Sequence, residues 1–343
     1  MSEPDDRNPA PGRRSGCLWR WPGRAMLILL FLVLGVVMIA LVYQAASAFA
    51  DARRYPPPGE MIDVGGYRLH VNVMGERHGG PAVILENGGG GFSPQWGWVQ
   101  PAVAEFARVV AYDRPGTGWS ETSPEPIEAV EASEALYTAL QAAGVPGPYV
   151  FAGHSMGALM ARTFAKLYPG EVVGLVLVDS RPVNWAEVFP DGGGEANPVV
   201  FRLLGVLNRL GIPRLVGVAD SQAAGLPPAA YEQAAALSYS PHHVGGMFPD
   251  GMIGDSAAEF VAAGEDLDGL PLIVLSAGAA DESFGEEVRP RFTATHEEIA
   301  SLSREGEHRT VAGANHLTIV TRQEYATEVV EAIHDVVSRA SNP

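Results

Sequence analysis

The sequence predicts an α/β fold, in which a mostly parallel β-sheet is covered by helices on both faces. Two patterns support this prediction. From residue 60 onward, short apolar runs typical of buried strands alternate with segments whose apolar residues recur every three or four positions. Strand and helix segments that alternate in this way build parallel sheets, and 343 residues are enough for one such domain with appended segments.

The N-terminal region contains an apolar run, residues 25–43, that has 19 residues and no charge. At about 1.5 Å per residue it would form roughly 28 Å of helix, close to the hydrocarbon thickness of a bilayer. The sequence therefore predicts a transmembrane helix over residues 25–47. Four arginines between residues 13 and 24 precede the run, which predicts a single-pass anchor in the cell membrane with the main domain on the extracytoplasmic side.

A cleavable signal peptide is the alternative interpretation of this region. The sequence "AASAFA" at residues 45–50 offers small residues like those at cleavage sites, but the apolar run is longer than that of a typical signal peptide. The sequence therefore favours an anchor. Residues 1–24 are predicted to be a disordered cytoplasmic tail, and residues 48–59, which include "YPPPG", a short stiff linker.

The rest of the chain divides into a core, residues 60–181 and 271–343, and an insertion, residues 182–270. Strands are predicted at 67–74, 81–86, 108–113, 148–153, 172–179 and 271–278, and helices at 127–144 and 156–168. The insertion is too long for a structureless loop, so we predict a helical lid. Its segments at 198–213 and 227–240 have one apolar side, which either packs against the core or lines a pocket.

Charge and cysteine content exclude several functions. The net charge is −17, and residues 51–343 alone carry −19, since the first 50 residues contain five arginines and three acids. Such an acidic domain argues against nucleic-acid binding. Cys17 is the only cysteine, and no H-E-x-x-H or C-x-x-C spacing occurs. The sequence therefore predicts no intrachain disulfide, no cysteine nucleophile in the main domain and no metal site of these types.

Ser155 stands in the motif "GHSMG", where a predicted strand meets a predicted helix. This G-x-S-x-G arrangement is the nucleophile elbow, in which a tight strand-to-helix turn exposes a serine hydroxyl. Gly153 and Gly157 leave room where side chains would crowd the neighbouring strand and helix, and the helix N-terminus presents amides to a developing anion. We interpret Ser155 as a nucleophile, which requires a base, an acid and an anion-binding pocket from elsewhere in the chain.

Three further features accompany the elbow. They are "ENGGGGF" at residues 86–92, "YDRPGTGWS" at residues 112–120, and the two C-terminal loops "LSAGAADESF" and "VAGANHLTI". With these motifs, residues from about 60 to 340 resemble the α/β-hydrolase superfamily, specifically its lidded branch of esterase-like and proline-iminopeptidase-like members. In this resemblance Asp113 and Arg114 brace the loop near the elbow.

The resemblance implies a catalytic triad in the order Ser, Asp, His. It assigns the base to His316 and the acid to Asp281, which lies three residues past Gly278 at the end of a predicted strand. Asp179 ends an earlier strand and is the alternative acid, because some members of the superfamily place the acid there. The offset from Gly278 and the position after the lid favour Asp281.

The loop that follows the strand at 81–86 implies an oxyanion hole. Members of the superfamily usually have His-Gly before the oxyanion-hole residue, and Asn87 replaces that histidine here. By position, the resemblance assigns the backbone N–H groups of Gly89 and Met156 as the two donors, with Gly90 as a near alternative.

These assignments imply a serine hydrolase that cleaves carboxylic esters through an acyl-enzyme, needs no cofactor and acts on a small-molecule ester or amide. Two alternatives stay open. One is an amide or peptide hydrolase of the iminopeptidase type, although such enzymes usually have Trp at the position of Met156. The other is a non-catalytic, ligand-binding homologue. Epoxide hydrolases and dehalogenases of the superfamily use an aspartate nucleophile, so Ser155 argues against those activities.

Overall fold

An eight-stranded sheet forms the centre of the computed structural model, which describes residues 20–189, 197–219, 223–279 and 288–341. The strands lie in the order β1-β2-β4-β3-β5-β6-β7-β8. β2 runs antiparallel to both of its neighbours, and all other pairs are parallel. The strands are β1 (Glu60–Asp63), β2 (Arg68–Met74), β3 (Ala82–Glu86), β4 (Val109–Tyr112), β5 (Tyr149–His154), β6 (Val172–Val178), β7 (Leu272–Ala277) and β8 (Gly306–Val311).

Helices flank this sheet, and a further group of helices lies in the insertion between β6 and β7, which we call the lid. Those of the core are α2 (Val99–Val103), α3 (Ala129–Ala142), α4 (Met156–Leu167), α10 (Arg289–Ala300), α11 (Thr318–Thr321) and α12 (Gln323–Ser341). Those of the lid are α5 (Trp185–Val188), α6 (Pro198–Arg209), α7 (Ile212–Leu215), α8 (Pro228–Ser238) and α9 (Pro241–Ala262). A separate helix, α1 (Arg20–Arg54), precedes the sheet.

The central strands are apolar on both sides because each side packs against helices. In β3, Val83 and Leu85 belong to one buried cluster, whereas Ile84, which points the opposite way, belongs to another. Two-sided burial explains why the strands are continuous apolar runs and not alternating ones. The fold and the mostly parallel sheet agree with the sequence prediction.

The lid contains a 22-residue helix, α9, that the sequence analysis did not identify. This helix includes Pro249 and several glycines, which disfavour a helix by intrinsic propensity. Two of the glycines lie where α9 crosses the core: a Cβ on Gly246 would collide with the backbone of Gly116, and one on Gly254 with the side chain of Met156. Close packing, which only glycine permits at these two positions, therefore outweighs the low helix propensity.

Helix α1 is a candidate membrane span by its length and composition. It continues through most of the predicted linker to Arg54, and its last three turns lie against the lid. Nε2 of Gln44 donates a hydrogen bond to the carbonyl of Tyr239 (2.7 Å), and Arg214 forms an ion pair with Asp51 (2.6 Å). The predicted tail lies mostly outside the described residues.

Candidate active site

Ser155 sits in the turn between β5 and α4 with φ of +55°, a region that a residue with a side chain seldom adopts. The flanking glycines make this turn possible. A Cβ on Gly153 would collide with the backbone of Gly157, and a Cβ on Gly157 would collide with the carbonyl of Glu86. The strand-to-helix junction thus has the geometry of a nucleophile elbow, with the serine at its tip.

His316 lies in the loop after β8 and meets the serine directly. Its Nε2 is 2.9 Å from Oγ of Ser155, a hydrogen-bond distance. The neighbouring Asn315 shapes this loop, since its side-chain oxygen accepts hydrogen bonds from the amides of Leu317 (3.2 Å) and Thr318 (2.8 Å). The local turn presents the imidazole to the elbow across 161 residues of sequence.

Asp179 makes the contact that a triad acid makes, because its Oδ2 is 2.6 Å from Nδ1 of His316. The sequence favoured Asp281, which lies outside the described residues. The geometry therefore gives this position to the alternative acid. The physical reason is that β6 and β7 are neighbouring parallel strands, so a carboxylate that ends β6 reaches the same edge of the sheet as a loop after β7.

The carboxylate of Asp179 is buried but well supplied with donors. Oδ1 accepts the amide of Ala277 (2.9 Å) and Nη1 of Arg289 (2.7 Å). Burial opposes ionisation, yet the hydrogen bond from His316 and the electrostatic interactions with His316, His296 and the Arg289 guanidinium hold the pKa of Asp179 well below its usual value. Asp179 is therefore an anion that orients the ring and can stabilise an imidazolium.

His154, which precedes Ser155, contacts His316. Its Nε2 is 2.7 Å from the carbonyl oxygen of His316, and the two rings lie 4.7 Å apart. Burial, with a smaller effect of the nearby His316, lowers the pKa of His154 to about 3. A neutral His154 donates its Nε2 proton to this carbonyl and so supports the loop that carries His316. The sequence motifs did not indicate this contact between His154 and His316.

The glycine-rich loop after β3 lies beside the elbow. Gly89 is in contact distance of Met156, since a Cβ on it would come within 3.5 Å of Sδ. Met156 is the first residue of α4, so its N–H has no partner within the helix. Gly90, the near alternative as an oxyanion donor, already donates its N–H to Oδ2 of Asp250 (2.7 Å).

Arg114 holds this glycine-rich loop through hydrogen bonds and ion pairs. Its guanidinium donates to the carbonyls of Asn87 (2.6 Å) and Gly88 (2.5 Å) and pairs with Glu86 (2.6 Å) and Asp250 (2.7 Å). All of these side chains are buried, and the two acids, together with their hydrogen bonds, raise the pKa of Arg114 despite burial. The contacts agree with the bracing role that the sequence suggested for Arg114, but the partner in the lid, Asp250, was not identified.

Asp113 holds the adjacent turn. It accepts the amides of Ser93 (2.6 Å) and Trp119 (3.0 Å) and lies 2.9 Å from Nδ1 of His70. Although burial opposes it, the charge of Asp113 raises the pKa of His70. Among the described hydrogen bonds of Asp113 and His70, none is to Ser155. We therefore interpret this pair as one that stabilises the turn.

A cavity of about 350 Å³ opens beside Ser155. Its walls combine aromatic and sulfur-containing side chains with one ion pair, between Arg181 and Asp255 (2.5 Å). The lining residues are Gly89, Gly90, Ser155, Met156, Arg181, Trp185, Phe201, Met247, Gly251 and Asp255. Across the described parts of the chain, no group of three or more His, Cys, Asp or Glu side chains is arranged to bind a metal ion.

Comparison with known proteins agrees with this geometry. A sequence model described as the α/β-hydrolase fold matches residues 81–207. The match and the architecture of the sheet show that the chain has the α/β-hydrolase fold. Among curated proteins, the chain is similar to the probable transporter efuK of Hormonema carpetanum, with 34% identity over 126 residues. The match covers 35% of this chain and only 18% of the relative's length, so it concerns one part of a much longer protein.

Solved structures match over most of the hydrolase chain. Epoxide hydrolase VrEH1 from Vigna radiata has a TM-score of 0.63 and 15% identity, with 82% of this chain and 97% of that chain covered. The enol-lactonase from Burkholderia xenovorans LB400 has a TM-score of 0.58 and 19% identity, with 81% and 100% covered. At these identities the comparisons show a common fold, and activity must be argued from the site.

Proposed function

We propose that this hydrolase is a serine carboxylic ester hydrolase whose triad is Ser155, His316 and Asp179. The observation that carries the proposal is the continuous hydrogen-bonded series from Oγ of Ser155 through both ring nitrogens of His316 to Oδ2 of Asp179. A serine needs an adjacent base to become a nucleophile, and the base needs a third group to fix its tautomer. Ser155 also lines the cavity of about 350 Å³, so a substrate in that cavity would lie next to the hydroxyl.

The mechanism follows from these positions. Oγ of Ser155 attacks the ester carbonyl carbon while Nε2 of His316 takes the hydroxyl proton. The ionised Asp179 keeps the proton on Nδ1 and stabilises the imidazolium. His316 then gives its proton to the departing alcohol, and a water molecule, activated by the same nitrogen, hydrolyses the acyl-enzyme.

The oxyanion of each tetrahedral intermediate is assigned to the N–H groups of Gly89 and Met156. Support comes from the proximity of these two residues and from the position of the Met156 N–H at the start of α4, where no intrahelical carbonyl accepts it. The N–H of Gly90 is engaged by Asp250, which argues against it as a donor. Glycine at 89 also lets the substrate carbonyl approach the backbone closely.

The serine at the elbow distinguishes this proposal from epoxide hydrolysis. That chemistry in the superfamily starts from an aspartate nucleophile, and the likeness to VrEH1 is one of fold. The enol-lactonase is consistent with ester cleavage, since a lactone is a cyclic ester, but at 19% identity it carries no substrate assignment.

A serine-directed fluorophosphonate tests the proposal on the full-length protein in detergent. We expect it to label the protein, and Ser155→Ala to abolish labelling, whereas Ser301→Ala, an exposed serine at the end of α10, leaves it unchanged. p-Nitrophenyl esters of graded chain length, compared with the matching anilides, then separate ester from amide hydrolysis. Labelling that persists in Ser155→Ala would refute the assignment, and efficient cleavage of anilides only would favour an amidase.

We also propose that α1 anchors the enzyme in the cell membrane with its N-terminus in the cytoplasm. The charge-free run and the arginines before it support this orientation. The alternative of a cleaved signal peptide would separate the chain within residues 45–50. Those residues belong to the continuous helix α1, which Gln44 and Asp51 hold against the lid on either side of them.

A further inference from the structure

The lid has an exposed apolar surface on helices α6 and α7. Val199, Leu203 and Val206 on α6 and Leu215 and Val216 on or directly after α7 are 53–68% exposed. Apolar side chains this concentrated on one pair of short helices are unusual for a surface that faces water. We call these five residues the α6–α7 face.

The charge of the same segment differs from that of the rest of the domain. Residues 197–219 contain three arginines and no acid, in a chain whose net charge is −17. Arg202 and Arg209 are exposed, and within the described residues neither forms an ion pair with a carboxylate. An apolar face combined with arginines is the composition of helices that lie in the interface of a membrane with anionic lipids.

The buried residues of α1 show where along its length this helix contacts the lid. Most of α1 is exposed, but Ala40, Gln44, Ser47, Ala48 and Asp51 are buried or half-buried. Their spacing of three and four residues places them on one side of the helix. The apolar run ends at Tyr43, so contact with the lid extends about one turn into the segment that would cross the hydrocarbon.

The α6–α7 segment contacts α1 at this level, as does Tyr239 at the end of α8. Gly211, between the two helices, lies next to Tyr43 and Gln44, and a Cβ on it would be 3.4–3.5 Å from their side chains. Arg214 in α7 bonds to Oε1 of Gln44 (3.3 Å) and to Asp51. α6 also packs against α1. The link between α6 and α7 is therefore held at the depth where the apolar run of α1 ends.

We propose that the α6–α7 face is a second membrane-contact surface, which inserts its apolar side chains into the interface of the bilayer that α1 crosses while Arg202 and Arg209 meet anionic headgroups. This inference rests on the proposed membrane anchoring and not on the proposed esterase activity. α6 also contributes Phe201 to the cavity beside Ser155, so one helix separates the cavity from the lipid. Esters that partition into the bilayer are then the substrates nearest to the nucleophile.

Depth-dependent quenching tests the proposal on the full-length protein. Cys17→Ser removes the only native cysteine, and single cysteines are then introduced for labelling with a bimane fluorophore. Leu203→Cys and Val216→Cys report on the face, and Val33→Cys reports on the span. Gly79→Cys is the control. Gly79 precedes β3, at the end of the parallel strands opposite the elbow, and a Cβ there has no neighbour within 4 Å.

The labelled proteins are reconstituted in vesicles containing lipids with a nitroxide near the headgroup or deep in the acyl chain. We expect the deep quencher to act most strongly at 33, the shallow one at 203 and 216, and neither at 79. Strong quenching at 33 with quenching at 203 and 216 no greater than at 79 would overturn the inference and leave the anchor intact. Equal, weak quenching at all four sites would overturn the anchor as well.

Lipid charge tests the role of the arginines. Quenching at 216 should be stronger in vesicles of phosphatidylcholine with phosphatidylglycerol than in phosphatidylcholine alone, and the double variant Arg202→Gln and Arg209→Gln should remove this difference. If the protein that retains Arg202 and Arg209 showed equal quenching at residue 216 in both lipid mixtures, the part of the proposal that concerns headgroups would be overturned.

Discussion

Oδ2 of Asp179 lies 2.6 Å from Nδ1 of His316 at the carboxyl edge of the sheet. An amide at this position preserves shape but loses the charge that holds the tautomer and stabilises the imidazolium. We expect Asp179→Asn to lower kcat on an activated ester by a factor on the order of 10⁴. Asp281→Asn, measured in parallel with both variants shown to be folded, should lose little. The opposite ranking would return the acid to Asp281.

The bond between Asp250 and the amide of Gly90 predicts that a lid residue affects the rate of chemistry. Asp250→Asn weakens the hold on Gly90 and on Arg114, so the oxyanion loop should shift. We expect kcat to fall about tenfold to a hundredfold, with a smaller change in KM. Loss of the buried charge should also reduce the free energy of unfolding by about 3 kcal/mol.

Glu259→Gln is the matched control for this substitution, because it removes an exposed carboxylate from the same helix, α9. It should change neither rate nor stability. If Asp250→Asn altered KM alone, Asp250 would act on substrate binding and not on the oxyanion loop.

Three buried histidines predict a loss of stability in weak acid. Burial lowers the pKa of His154 to about 3 and of His243 to about 4, and it also lowers the pKa of His296. In the unfolded chain these rings titrate near pH 6.5, so below that pH the unfolded state binds more protons and the free energy of unfolding falls as pH falls. The raised pKa of His70 acts in the opposite sense and offsets part of the effect.

Each buried ring contributes at most about 1.4 kcal/mol per pH unit below about pH 6, so three rings contribute at most about 4 kcal/mol per pH unit. Chemical unfolding in detergent between pH 7 and 5 measures this slope. His243→Asn retains an acceptor for the amide of Gly118 and should flatten the slope by about one third. The same change at the exposed His334 is the control, and an unaltered slope in His243→Asn would contradict the prediction.

The ion pair between Arg214 and Asp51 predicts a measurable coupling between α1 and the lid. Both side chains are mostly buried, and Arg214 also lies over the ring of Tyr239 (4.6 Å). A double-mutant cycle with Arg214→Gln and Asp51→Asn should give a coupling energy of about 1 kcal/mol in thermal or chemical unfolding. A value near zero would mean that this contact does not hold the helix on the lid.

The sequence predicted the sheet, the elbow and the base because each depends on local patterns. Buried strands require apolar runs, and Ser155 requires glycines on both sides. For the acid the sequence favoured Asp281, which lies outside the described residues, whereas the described geometry brings Asp179 to His316. Both candidates follow neighbouring parallel strands, so the packing of the loops decides which carboxylate reaches the imidazole. Asp250 was missed for a related reason: its partner Arg114 is 136 residues away, and the helix that carries Asp250 has a sequence that does not suggest a helix.

The hydrogen bond from Gly90 to Asp250 has a consequence for how substrates are admitted. A lid that swung away as a unit would take Asp250 with it and release both Gly90 and Arg114, so the anion-binding loop would lose its support at the moment of entry. Under the proposed mechanism, a lid displaced in this way would leave the oxyanion loop without its support, so we expect substrates to react while Asp250 still holds Gly90 and Arg114.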